Sequence, residues 1–398
     1  MSGEPFLRRV RIRNYKSIAG CDVQLGRLTV LVGRNGSGKS NFLDALRFIA
    51  DGLQTSLDHA IKSRGGVDAV RRKSTGHPHN FSVEVELNLP DWQVGTYAFE
   101  IGAEPKGGFH VKFETLDVKR ANGTIETSYR HEGGKIVSAS LEKMPPAVSD
   151  RLYLVTASGL PEFRPAYDAL TAMGFYNLNP EEMKEVQNPD AGQLLRRDGS
   201  NLASVVARIT DDRPDLKLRV TEYLQAIVPD IVDFERVALG HHETLEFRQA
   251  VKGAKHPWKF YAASMSDGTL RALGILVAVM QLADRREAVS LVGIEEPETA
   301  LHPAASGALM ESLRGATEHT QVLITTHSPD LLDEFDAQND DLLVVVSNQG
   351  TTEIGPADPA SVKAIQDHLY TAGELLRMDQ LQPDMSDVKR QQELTFGY

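Results

Sequence analysis

The sequence predicts an α/β fold with a mixed or parallel core sheet flanked by helices, an antiparallel β meander and a helical insertion. Three observations support this prediction. The last third of the chain alternates apolar strands with amphipathic helices, an order typical of parallel sheets. Residues 81–140 alternate apolar and polar side chains between glycine-containing turns, which is typical of antiparallel strands. A glycine-rich loop at residues 33–40 joins an apolar strand to a helix.

The same pattern divides the chain into three parts. Residues 1–146 hold the glycine-rich loop and the meander, residues 147–230 have mostly helical spacing, and residues 231–398 return to strands and helices. We expect the first and third parts to build one head and the second to be an insertion in it. We find no internal repeat or low-complexity tract.

The first part begins with strands. Residues 6–13 alternate basic and apolar side chains, which indicates a strand with one buried face, and residues 14–17 should turn the chain. The other predicted elements are strands at residues 22–25 and 28–32, a helix at residues 39–50, a loop-bearing segment at residues 61–80 and the meander at residues 81–140.

The second and third parts carry helical periods separated by apolar strands. Pro180 and Pro214 are expected in the first turns of helices. The predicted helices lie at residues 160–173, 192–209, 214–228, 268–283, 303–315 and 329–335. The predicted strands lie at residues 232–239, 244–251, 259–262, 289–294, 321–325 and 342–347.

Bulk composition excludes several classes of protein. No run approaches the roughly 18 apolar residues of a membrane span and the first residues lack a signal-peptide pattern, so we expect a cytoplasmic protein without a membrane partner. The single cysteine, Cys21, excludes an internal disulfide and is expected to be packed. The 43 Lys and Arg against 55 Asp and Glu give a net charge of −12. This charge disfavours nucleic-acid binding by the whole surface and leaves a local basic groove open.

Residues 33–40 read GRNGSGKS and match the phosphate-binding pattern G-x-x-x-x-G-K-[ST]. In such a loop the backbone N–H groups converge on the β-phosphate, Lys39 reaches the β and γ oxygens, and Ser40 can ligate Mg²⁺. The N-terminus of the following helix adds a favourable field. The residues expected to bind the nucleotide here are Gly33, Arg34, Asn35, Gly36, Ser37, Gly38, Lys39, Ser40 and Asn41.

Two apolar strands of the last third end in polar residues. Glu295 and Glu296 end the first of them, and successive side chains point to opposite sides of a strand. We therefore expect Glu295 on the metal side and Glu296 beside an attacking water as general base. His327 ends the second strand, where Ser328 should cap a helix, and it could hydrogen-bond the γ-phosphate or the water.

The turn before the helix at residues 268–283 is a third candidate. Ser266 is expected to be its N-cap, and Gly268 permits close approach of a ligand to the backbone. The first N–H groups of a helix can bind an anion. Taken alone, the turn indicates only the start of a helix.

In this order, the motifs together resemble the ATP-binding-cassette ATPase superfamily, specifically its RecF/SMC/OLD-like branch. The matching segments are GRNGSGKS as Walker A, MSDGT at residues 265–269 as a variant signature, VGIEEPE at residues 292–298 as Walker B, ETALH at residues 298–302 as the D-loop and TTHSP at residues 325–329 as the switch histidine. Residues 14–17, 198–202 and 373–377 are also similar to this branch.

The resemblance implies an ATPase that closes head to tail with a second copy around two molecules of ATP. Each site would then be composite. The residues of one copy would be Lys39, Ser40, Glu295, Glu296 and His327, and they would face Ser266 and Gly268 of the other. Removal of the γ-phosphate should loosen the pair.

This chain departs from the family pattern in two places. Walker B usually ends in Asp-Glu, whereas Glu295 and Glu296 stand here, and the longer carboxylate is expected to reach the metal through water. The glutamine that contacts the nucleotide from the lid is not assigned, and Gln54 and Gln93 are candidates only by location.

Three functions are considered. The first is an ATP-gated dimeric ATPase that acts on or beside DNA in repair or in defence against foreign DNA. The second, a transporter subunit, is disfavoured because about 225 residues separate the phosphate loop from the signature turn. The third is a regulatory module that binds ATP and controls a separate effector protein without binding nucleic acid.

Two further features bear on these functions. Coiled-coil arms are not expected without a long heptad region. We also expect no nuclease domain like that of OLD proteins in the about 50 residues after Ser347, so DNA cleavage would be expected to need a partner. A basic cluster could touch phosphates, although we favour a solvated loop. Its members are Arg64, Arg71, Arg72 and Lys73.

Overall fold

The computed structural model describes residues 4–74, 79–90, 93–120, 122–281 and 290–393. The chain forms two compact units. The first comprises Met1–Met173, Ala337–Tyr370 and Met378–Tyr398, and the second comprises Gly174–Asp336 and Thr371–Arg377. In the described part of the chain, no helix is long and apolar enough to cross a membrane.

The strands and helices of the described residues follow the chain in this order. The strands are β1 (Leu7–Tyr15), β2 (Ile18–Gln24), β3 (Leu28–Val32), β4 (Asn80–Leu89), β5 (Gln93–Ala103), β6 (Phe109–Lys119), β7 (Ile125–Glu132), β8 (Lys135–Ala139), β9 (Met173–Tyr176), β10 (Ile231–Leu239), β11 (His242–Gln249), β12 (Trp258–Tyr261), β13 (Leu291–Glu295), β14 (Gln321–Thr326), β15 (Asp341–Asn348) and β16 (Thr351–Pro356).

The helices are α1 (Lys39–Gln54), α2 (Leu57–Lys62), α3 (Val67–Val70), α4 (Leu154–Ala157), α5 (Arg164–Thr171), α6 (Pro180–Lys184), α7 (Leu202–Asp212), α8 (Pro214–Ile227), α9 (Asp267–Met280), α10 (Ser306–Ala316), α11 (Pro329–Leu332), α12 (Pro359–Gln366), α13 (Ala372–Arg377) and α14 (Met385–Glu393). Short 3-10 turns at Pro105–Gly107, Ala262–Ser264 and Pro303–Ala305 complete the set.

The first unit is built on a mixed sheet in the order β8-β7-β6-β5-β4-β1-β2-β16-β15-β3. Strands β4 to β8 form the predicted antiparallel meander, and β1 continues it between β4 and β2. At the other end, β3 is parallel to β15 and β2 is parallel to β16. Every residue of β3 is buried, as expected for a strand covered on both faces.

The meander encloses a carboxylate that periodicity alone does not reveal. Glu114 is fully buried and accepts hydrogen bonds from the hydroxyls of Tyr97 (3.0 Å) and Tyr129 (2.7 Å) and from the backbone N–H of Leu154 (2.8 Å). Burial raises the pKa of Glu114, and these donors oppose the rise. Glu114 therefore connects the meander to the start of α4.

The second unit contains a parallel pair and a small antiparallel sheet. Strand β13 pairs with β14 in a register that places Glu295 opposite Thr325. Strands β10, β11 and β12 form the antiparallel sheet in that order. Helix α9 is buried from Gly268 to Met280 and packs against α6, α7, α8 and α10. A helix that is apolar all round belongs in a core, and α9 has that composition.

Many predicted elements have their predicted positions. The mixed α/β fold class is confirmed, α1 begins at Lys39, and Pro180 and Pro214 lie in the first turns of α6 and α8. Cys21 is buried, as expected. Residue 289 of one predicted strand and residues 282–283 of one predicted helix lie outside the described residues.

Other elements differ from prediction. The segment at residues 61–80, predicted as a loop, contains the end of α2 and the short helix α3, and its residues 75–78 lie outside the described residues. Strands β9 and β16 and helices α12 to α14 were not predicted. They are short, and none has a long amphipathic period. The division into three parts stays a prediction.

Candidate active site

The predicted phosphate loop leads from β3 into α1 in the first unit. Gly38 has φ 108°, so the chain turns directly into the helix N-terminus at Lys39. Lys39 is 4% exposed, and its ammonium donates to the carbonyl oxygens of Gly33 (2.7 Å) and Arg34 (3.1 Å). The hydroxyl of Ser37 is buried without a hydrogen-bond partner among the described residues. A buried unpartnered hydroxyl beside a helix N-terminus fits a bound phosphate group.

The remaining loop residues have the exposure that a ligand requires. Gly36 has φ 79°, and nothing described lies within 4 Å of where its Cβ would be. The exposed residues are Arg34, Asn35, Gly36 and Ser40, and Asn41 is partly buried. Arg34 pairs with Asp379 at 2.9 Å, both at the surface. The loop is therefore open on the side of residues 34–36 and closed behind Lys39.

The hydroxyls of Thr352 and Ser17 stabilise the phosphate loop through hydrogen bonds. The Thr352 hydroxyl donates to the carbonyl oxygen of Ser37 (2.8 Å) and lies 2.6 Å from the hydroxyl of Ser17, which in turn accepts from the Asn41 amide (2.6 Å). A Cβ at Gly38 would collide with the Thr352 hydroxyl. Sequence analysis did not find Thr352, because it belongs to the unpredicted strand β16.

The basic cluster differs from the solvated loop that we favoured. The Arg64 side chain is 2% exposed and pairs with Asp44 (3.0 Å) and Asp51 (2.8 Å) of α1. Lys16 also reaches Asp44, at 2.5 Å. Arg71 pairs with Asp68 at 2.8 Å. Charge spacing along the chain could not reveal this, because Asp44 belongs to the helix after the phosphate loop. The expectation of a solvated loop is wrong for Arg64.

The predicted carboxylate and histidine lie together in the second unit. Glu295 is the last residue of β13, and Glu296 and His327 immediately follow the parallel pair. Nδ1 of His327 lies 3.1 Å from Oε1 of Glu296, and the two side chains are 42% and 35% exposed. Oε1 of Glu295 pairs instead with Arg197 at 3.2 Å. Thus Glu295 and Glu296 have different partners.

The backbone of Glu296 has an unusual conformation held from two sides. Its φ is 47°, which is rare for a residue other than glycine. Its N–H donates to the carbonyl of Thr325 (2.9 Å), and its carbonyl accepts from Arg271 of α9 (3.1 Å). Arg271 is 8% exposed and also donates to the carbonyl of Leu178 (2.7 Å), and burial lowers its pKa. Sequence analysis missed this role of Arg271.

Glu298 connects the turns that follow β13 and β14. Its Oε1 accepts from the Thr326 hydroxyl (2.6 Å), which accepts from the N–H of Ser328 (2.9 Å). Its Oε2 is buried without a hydrogen-bond partner among the described residues. Burial raises the pKa of Glu298, and hydrogen bonds from Thr326 and the His327 backbone oppose the rise. Glu298 thus holds the turn that carries His327.

The signature turn has the predicted cap. Ser266 is exposed, and its hydroxyl accepts from the N–H of Thr269 (3.2 Å) at the start of α9. Gly268 is buried, and a Cβ there would collide with the carbonyl of Ala300. Gly268 therefore permits close packing of α9 on the turn that follows Walker B. Asp267 pairs with Lys184 at 2.6 Å.

Residues 371–377 support the helix after His327. Arg377 of α13 pairs with Asp330 (2.6 Å) and Asp333 (2.9 Å), and a Cβ at Gly373 would collide with the Pro329 carbonyl. The cap expected of Ser328 is present, because its hydroxyl accepts from the N–H of Leu331 (3.3 Å). This contact gives the similarity at residues 373–377 a structural reason.

The two lid candidates contact other parts of the first unit. Gln54 is the last residue of α1, at the opposite end of that helix from the phosphate loop, and it bonds the carbonyl of Thr171. Gln93 begins β5 and bonds Glu126 of β7 at 2.8 Å. The assignment of the lid glutamine stays open.

The family described as "AAA domain, putative AbiEii toxin, Type IV TA system" matches residues 28–131 and 177–333, which is more than half of the chain. The chain belongs to this family. The match includes the phosphate loop, the signature turn and both strand ends with their polar residues.

Curated relatives agree with the predicted branch. The chain is 33% identical over 131 residues to the DNA replication and repair protein RecF of Gloeobacter violaceus, covering 31% of this chain and 35% of RecF. It is 22% identical over 351 residues to Endonuclease GajA of Bacillus cereus, covering 82% of this chain and 56% of GajA. The chromosome partition protein Smc of Mycoplasma pneumoniae is 35% identical over 91 residues, 22% of this chain and 9% of Smc. The chain thus spans only part of each relative.

Solved structures show the same fold. An Smc head bound to the C-terminal winged-helix domain of ScpA has a TM-score of 0.54 at 14% identity, covering 88% of this chain and 97% of that one. The Smc head of Pyrococcus furiosus, with an extended coiled coil and the C-terminal domain of ScpA, has a TM-score of 0.57 at 11% identity, covering 92% and 99%. The predicted resemblance is confirmed: the protein is a P-loop ATPase of the RecF/SMC/GajA type.

Each unit by itself carries side chains of the types with which P-loop proteins bind Mg²⁺-ATP. Among the described residues, no group of three or more His, Cys, Asp or Glu side chains could hold a metal by itself. Mg²⁺ in such sites is shared between the protein and the substrate phosphates, so a hydroxyl and a single carboxylate suffice. Ser40 is an exposed hydroxyl at the start of α1, and Glu295 is a partly buried carboxylate at the end of β13.

Proposed function

We propose that this ATPase hydrolyses ATP in composite sites formed by two copies of the chain, and that DNA is its partner in repair or in defence against foreign DNA. The observation that carries the proposal is the Glu296–His327 pair. A carboxylate held 3.1 Å from an imidazole, both partly exposed at the ends of parallel strands, is suited to orient and deprotonate a water. The motif order links this pair to the phosphate loop of the same chain.

Each residue has a defined role in this proposal. Bound Mg²⁺-ATP supplies the phosphoanhydride to be cleaved, with Ser40 and Glu295 on the metal side. Lys39 holds the β and γ oxygens, and Glu296 accepts the proton of the attacking water. When the ring of His327 carries a proton on both nitrogens, Nδ1 donates to Glu296 and Nε2 donates to the γ-phosphate. The nine loop residues at 33–41 form the cradle.

The signature turn supplies the argument for a second copy. Ser266 and Asp267 are exposed at the N-terminus of α9, whereas the helix is buried from Gly268 to Met280, so the turn is available to a partner. The N-terminus of α9 favours an anion. In the proposed dimer, Ser266 and the first N–H groups of α9 meet the γ-phosphate bound by the other copy.

The names of the relatives support a DNA partner. One is a protein of DNA replication and repair, another an endonuclease and a third a chromosome partition protein. A duplex added to the purified ATPase should raise its turnover, and the effect should weaken with salt because phosphate contacts release counterions. Turnover indifferent to every nucleic acid would instead favour control of a separate effector protein.

Substitution of Glu296 tests the hydrolytic role. Glu296→Gln keeps the shape of the side chain but cannot accept the proton, so kcat should fall about 100- to 10,000-fold while ATP binding persists. Steady-state phosphate release and binding of a fluorescent ATP analogue measure the two quantities. Glu318→Gln, at an exposed glutamate of the same unit, is the matched control. Undiminished hydrolysis by Glu296→Gln would refute the role.

Substitution of Lys39 tests the phosphate loop separately. Lys39→Ala removes the ammonium expected at the β and γ oxygens, and nucleotide affinity should be lost. Because Lys39 is buried, the melting temperature of the variant should be measured first. A folded variant that still binds ATP normally would overturn the assignment of the loop.

A further inference from the structure

A basic, aromatic segment precedes the signature turn. Residues 250–261 contain three lysines and no acidic residue, in a chain whose net charge is −12. They comprise the connection after β11 and the whole of β12, and they lead through a short 3-10 turn to Ser266. We call residues 250–261 the lysine hairpin.

The lysine hairpin presents an exposed indole beside free charges. Trp258 is 56% exposed and Tyr261 47% exposed, although such large rings are usually covered. In the described part of the chain, Lys252 and Lys255 are exposed and form no ion pair, whereas Lys259 pairs with Glu246 at 2.7 Å. Two free ammonium groups therefore lie close in sequence to an exposed aromatic face.

Strand β12 holds this indole in place. It is the last strand in the order β10-β11-β12, and its register sets Trp258 opposite Gln249 and Phe260 opposite Phe247. The ring of Trp258 lies against that of Phe260, with centroids 6.4 Å apart. Phe247, which lies opposite Phe260, is fully buried, so these aromatic residues are anchored in the core of the second unit. Trp258 is thus an exposed ring on a firm support.

The other basic cluster of the sequence is less available. Arg64 is buried between two aspartates, Arg71 pairs with Asp68, and Arg72 donates to the hydroxyl of Thr351 at 2.7 Å. These cations are engaged within the first unit. Among the described residues, two of the three lysines of the lysine hairpin, Lys252 and Lys255, have no ion-pair partner and are available to a polyanion.

We propose that the lysine hairpin binds single-stranded nucleic acid, with a base stacked on Trp258 and phosphates contacted by Lys252 and Lys255. The inference rests on the proposed function, because it names the surface by which a nucleic-acid partner is recognised. Stacking requires an unpaired base, so the single strand is preferred over a duplex. Acidic peptides would match the lysines but would not stack on the indole.

The position of the hairpin gives binding a route to the hydrolytic residues. Tyr261 ends β12, Ser266 caps α9, and Arg271 of the same helix donates to the carbonyl of Glu296. A nucleic-acid strand bound on Trp258 thus contacts the segment that leads directly into the N-terminus of α9. Single strands should therefore change the rate of ATP hydrolysis.

Binding of a fluorescein-labelled thymidine oligonucleotide, followed by anisotropy over a range of salt concentrations, tests the proposal. Trp258→Ala should weaken binding about 5- to 150-fold, the effect of losing one base–aromatic stack, with little change in salt slope. Trp258→Phe should restore much of it. Lys252→Ala with Lys255→Ala should lower the slope of log affinity against log salt by about 1.4, because each single-strand phosphate contact contributes about 0.7.

Matched controls and one direct readout complete the experiment. Lys363→Ala with Lys389→Ala removes the same charge from exposed positions elsewhere, and Tyr370→Ala removes another exposed ring. The chain has two tryptophans, so a Trp92→Phe background leaves Trp258 as the reporter, and its fluorescence should be quenched by the oligonucleotide. Melting temperatures confirm that each variant folds.

The outcomes separate this inference from the proposed function. If the Trp258 and lysine variants bind the oligonucleotide as tightly as wild type, the lysine hairpin is not the binding surface. The proposal that DNA is the partner would be unaffected. Absence of any binding to single strands or duplex by the wild-type chain, with or without ATP, would overturn both. Tighter binding of duplex than of single strand, without quenching, would also contradict stacking on Trp258.

Discussion

The backbone conformation of Glu296 fixes the position of its side chain beside His327. A left-handed residue other than glycine costs about 1–3 kcal/mol and persists only when its surroundings over-determine it. Here Thr325 holds the N–H and Arg271 the carbonyl, and the side chain then reaches His327. The position of the Glu296 carboxylate therefore depends on backbone hydrogen bonds with both β14 and α9.

Glu298 should position His327 through the hydroxyl of Thr326. Burial raises the pKa of Glu298 above its ordinary value. Glu298→Gln keeps an acceptor for the Thr326 hydroxyl and should retain most of kcat. Glu298→Ala removes the acceptor and should lower kcat with little change in KM, because ATP binding does not use this side chain. Steady-state kinetics of the two variants measure the difference.

The pH dependence of stability provides a second readout for Glu298. A raised carboxyl pKa favours the folded state below the unfolded value, and this advantage is lost as pH rises through the folded value. Glu298→Gln lacks that dependence, so its melting temperature relative to wild type should increase from acid to neutral pH. Equal loss of activity in Glu298→Gln and Glu298→Ala, with no such trend, would show that a charged carboxylate is needed.

The proximity of Glu296 and His327 could be predicted from the sequence, but the residues that support them could not. Glu296 and His327 follow apolar strands, and ends of parallel strands share one edge of a sheet, so their proximity follows from local pattern. Arg271 and Thr352 act through hydrogen bonds to backbone carbonyls in distant parts of the chain, and such bonds leave no local trace in the sequence. These partners become visible only when the chain is folded.

Helix α1 couples the phosphate loop to a buried ion cluster. Asp44 is 8% exposed and contacts Arg64, Lys16 and Arg47, and it accepts from the hydroxyl of Tyr15 (2.8 Å). Burial would raise the pKa of Asp44, but the Arg64 and Lys16 charges outweigh it and lower the pKa to about 2. The turn before β2 is thereby tied to the helix that begins at Lys39.

Removal of Asp44 should destabilise the first unit. Asp44→Asn leaves the buried Arg64 guanidinium with Asp51 as its remaining carboxylate and leaves Lys16 and Arg47 nearby, so the free energy of unfolding should fall by up to about 3–5 kcal/mol. The stabilisation is present above the unfolded pKa of about 3.9 and is lost as pH falls towards 2. Urea denaturation followed by circular dichroism, at neutral and acid pH, measures both.

The control for this prediction is an exposed pair. Asp150 and Arg151 are 66% and 56% exposed, so Asp150→Asn should leave unfolding unchanged. A double variant of Asp44→Asn and Arg64→Met should recover part of the loss, since no buried charge is left alone. Equal urea midpoints for Asp44→Asn and wild type would contradict a structural role for the cluster.

Elements were predictable where an apolar run or a glycine pattern marks them in the sequence. The strand β3 and the start of α1 were placed correctly because an apolar run and a glycine pattern define them. Strand β16 of six residues was missed, although it contributes Thr352 to the phosphate loop. The sequence of β16, TTEIGP, contains one large apolar residue and therefore shows neither an apolar run nor alternation.

At the scale of the whole molecule, the motifs are divided between the two units. The phosphate loop belongs to the first unit, whereas Glu296, His327 and the signature turn belong to the second. Their order along the chain, rather than their spacing, indicated a common function. The fold comparison extends over 88% to 92% of the chain, although identity is only 11% to 14%.

A composite site makes a prediction that a self-contained site does not. Lys39→Ala disables the phosphate loop, and Ser266→Arg places a bulky charge at the start of α9, so each variant alone should be nearly inactive. Mixed together, they form heterodimers in which one site combines the intact Lys39 of one chain with the intact Ser266 of the other. ATP hydrolysis should therefore recover on mixing to roughly a quarter of the wild-type rate, since half of the random dimers are mixed and each holds one intact site.

Phosphate release across mixing ratios measures this recovery. A mixture of Lys39→Ala with Glu296→Gln is the control, and it should give no recovery because both changes fall in the same half-site. Inactivity of the Lys39→Ala and Ser266→Arg mixture, in variants shown by light scattering to dimerise with wild type in ATP, would mean that each chain hydrolyses ATP alone.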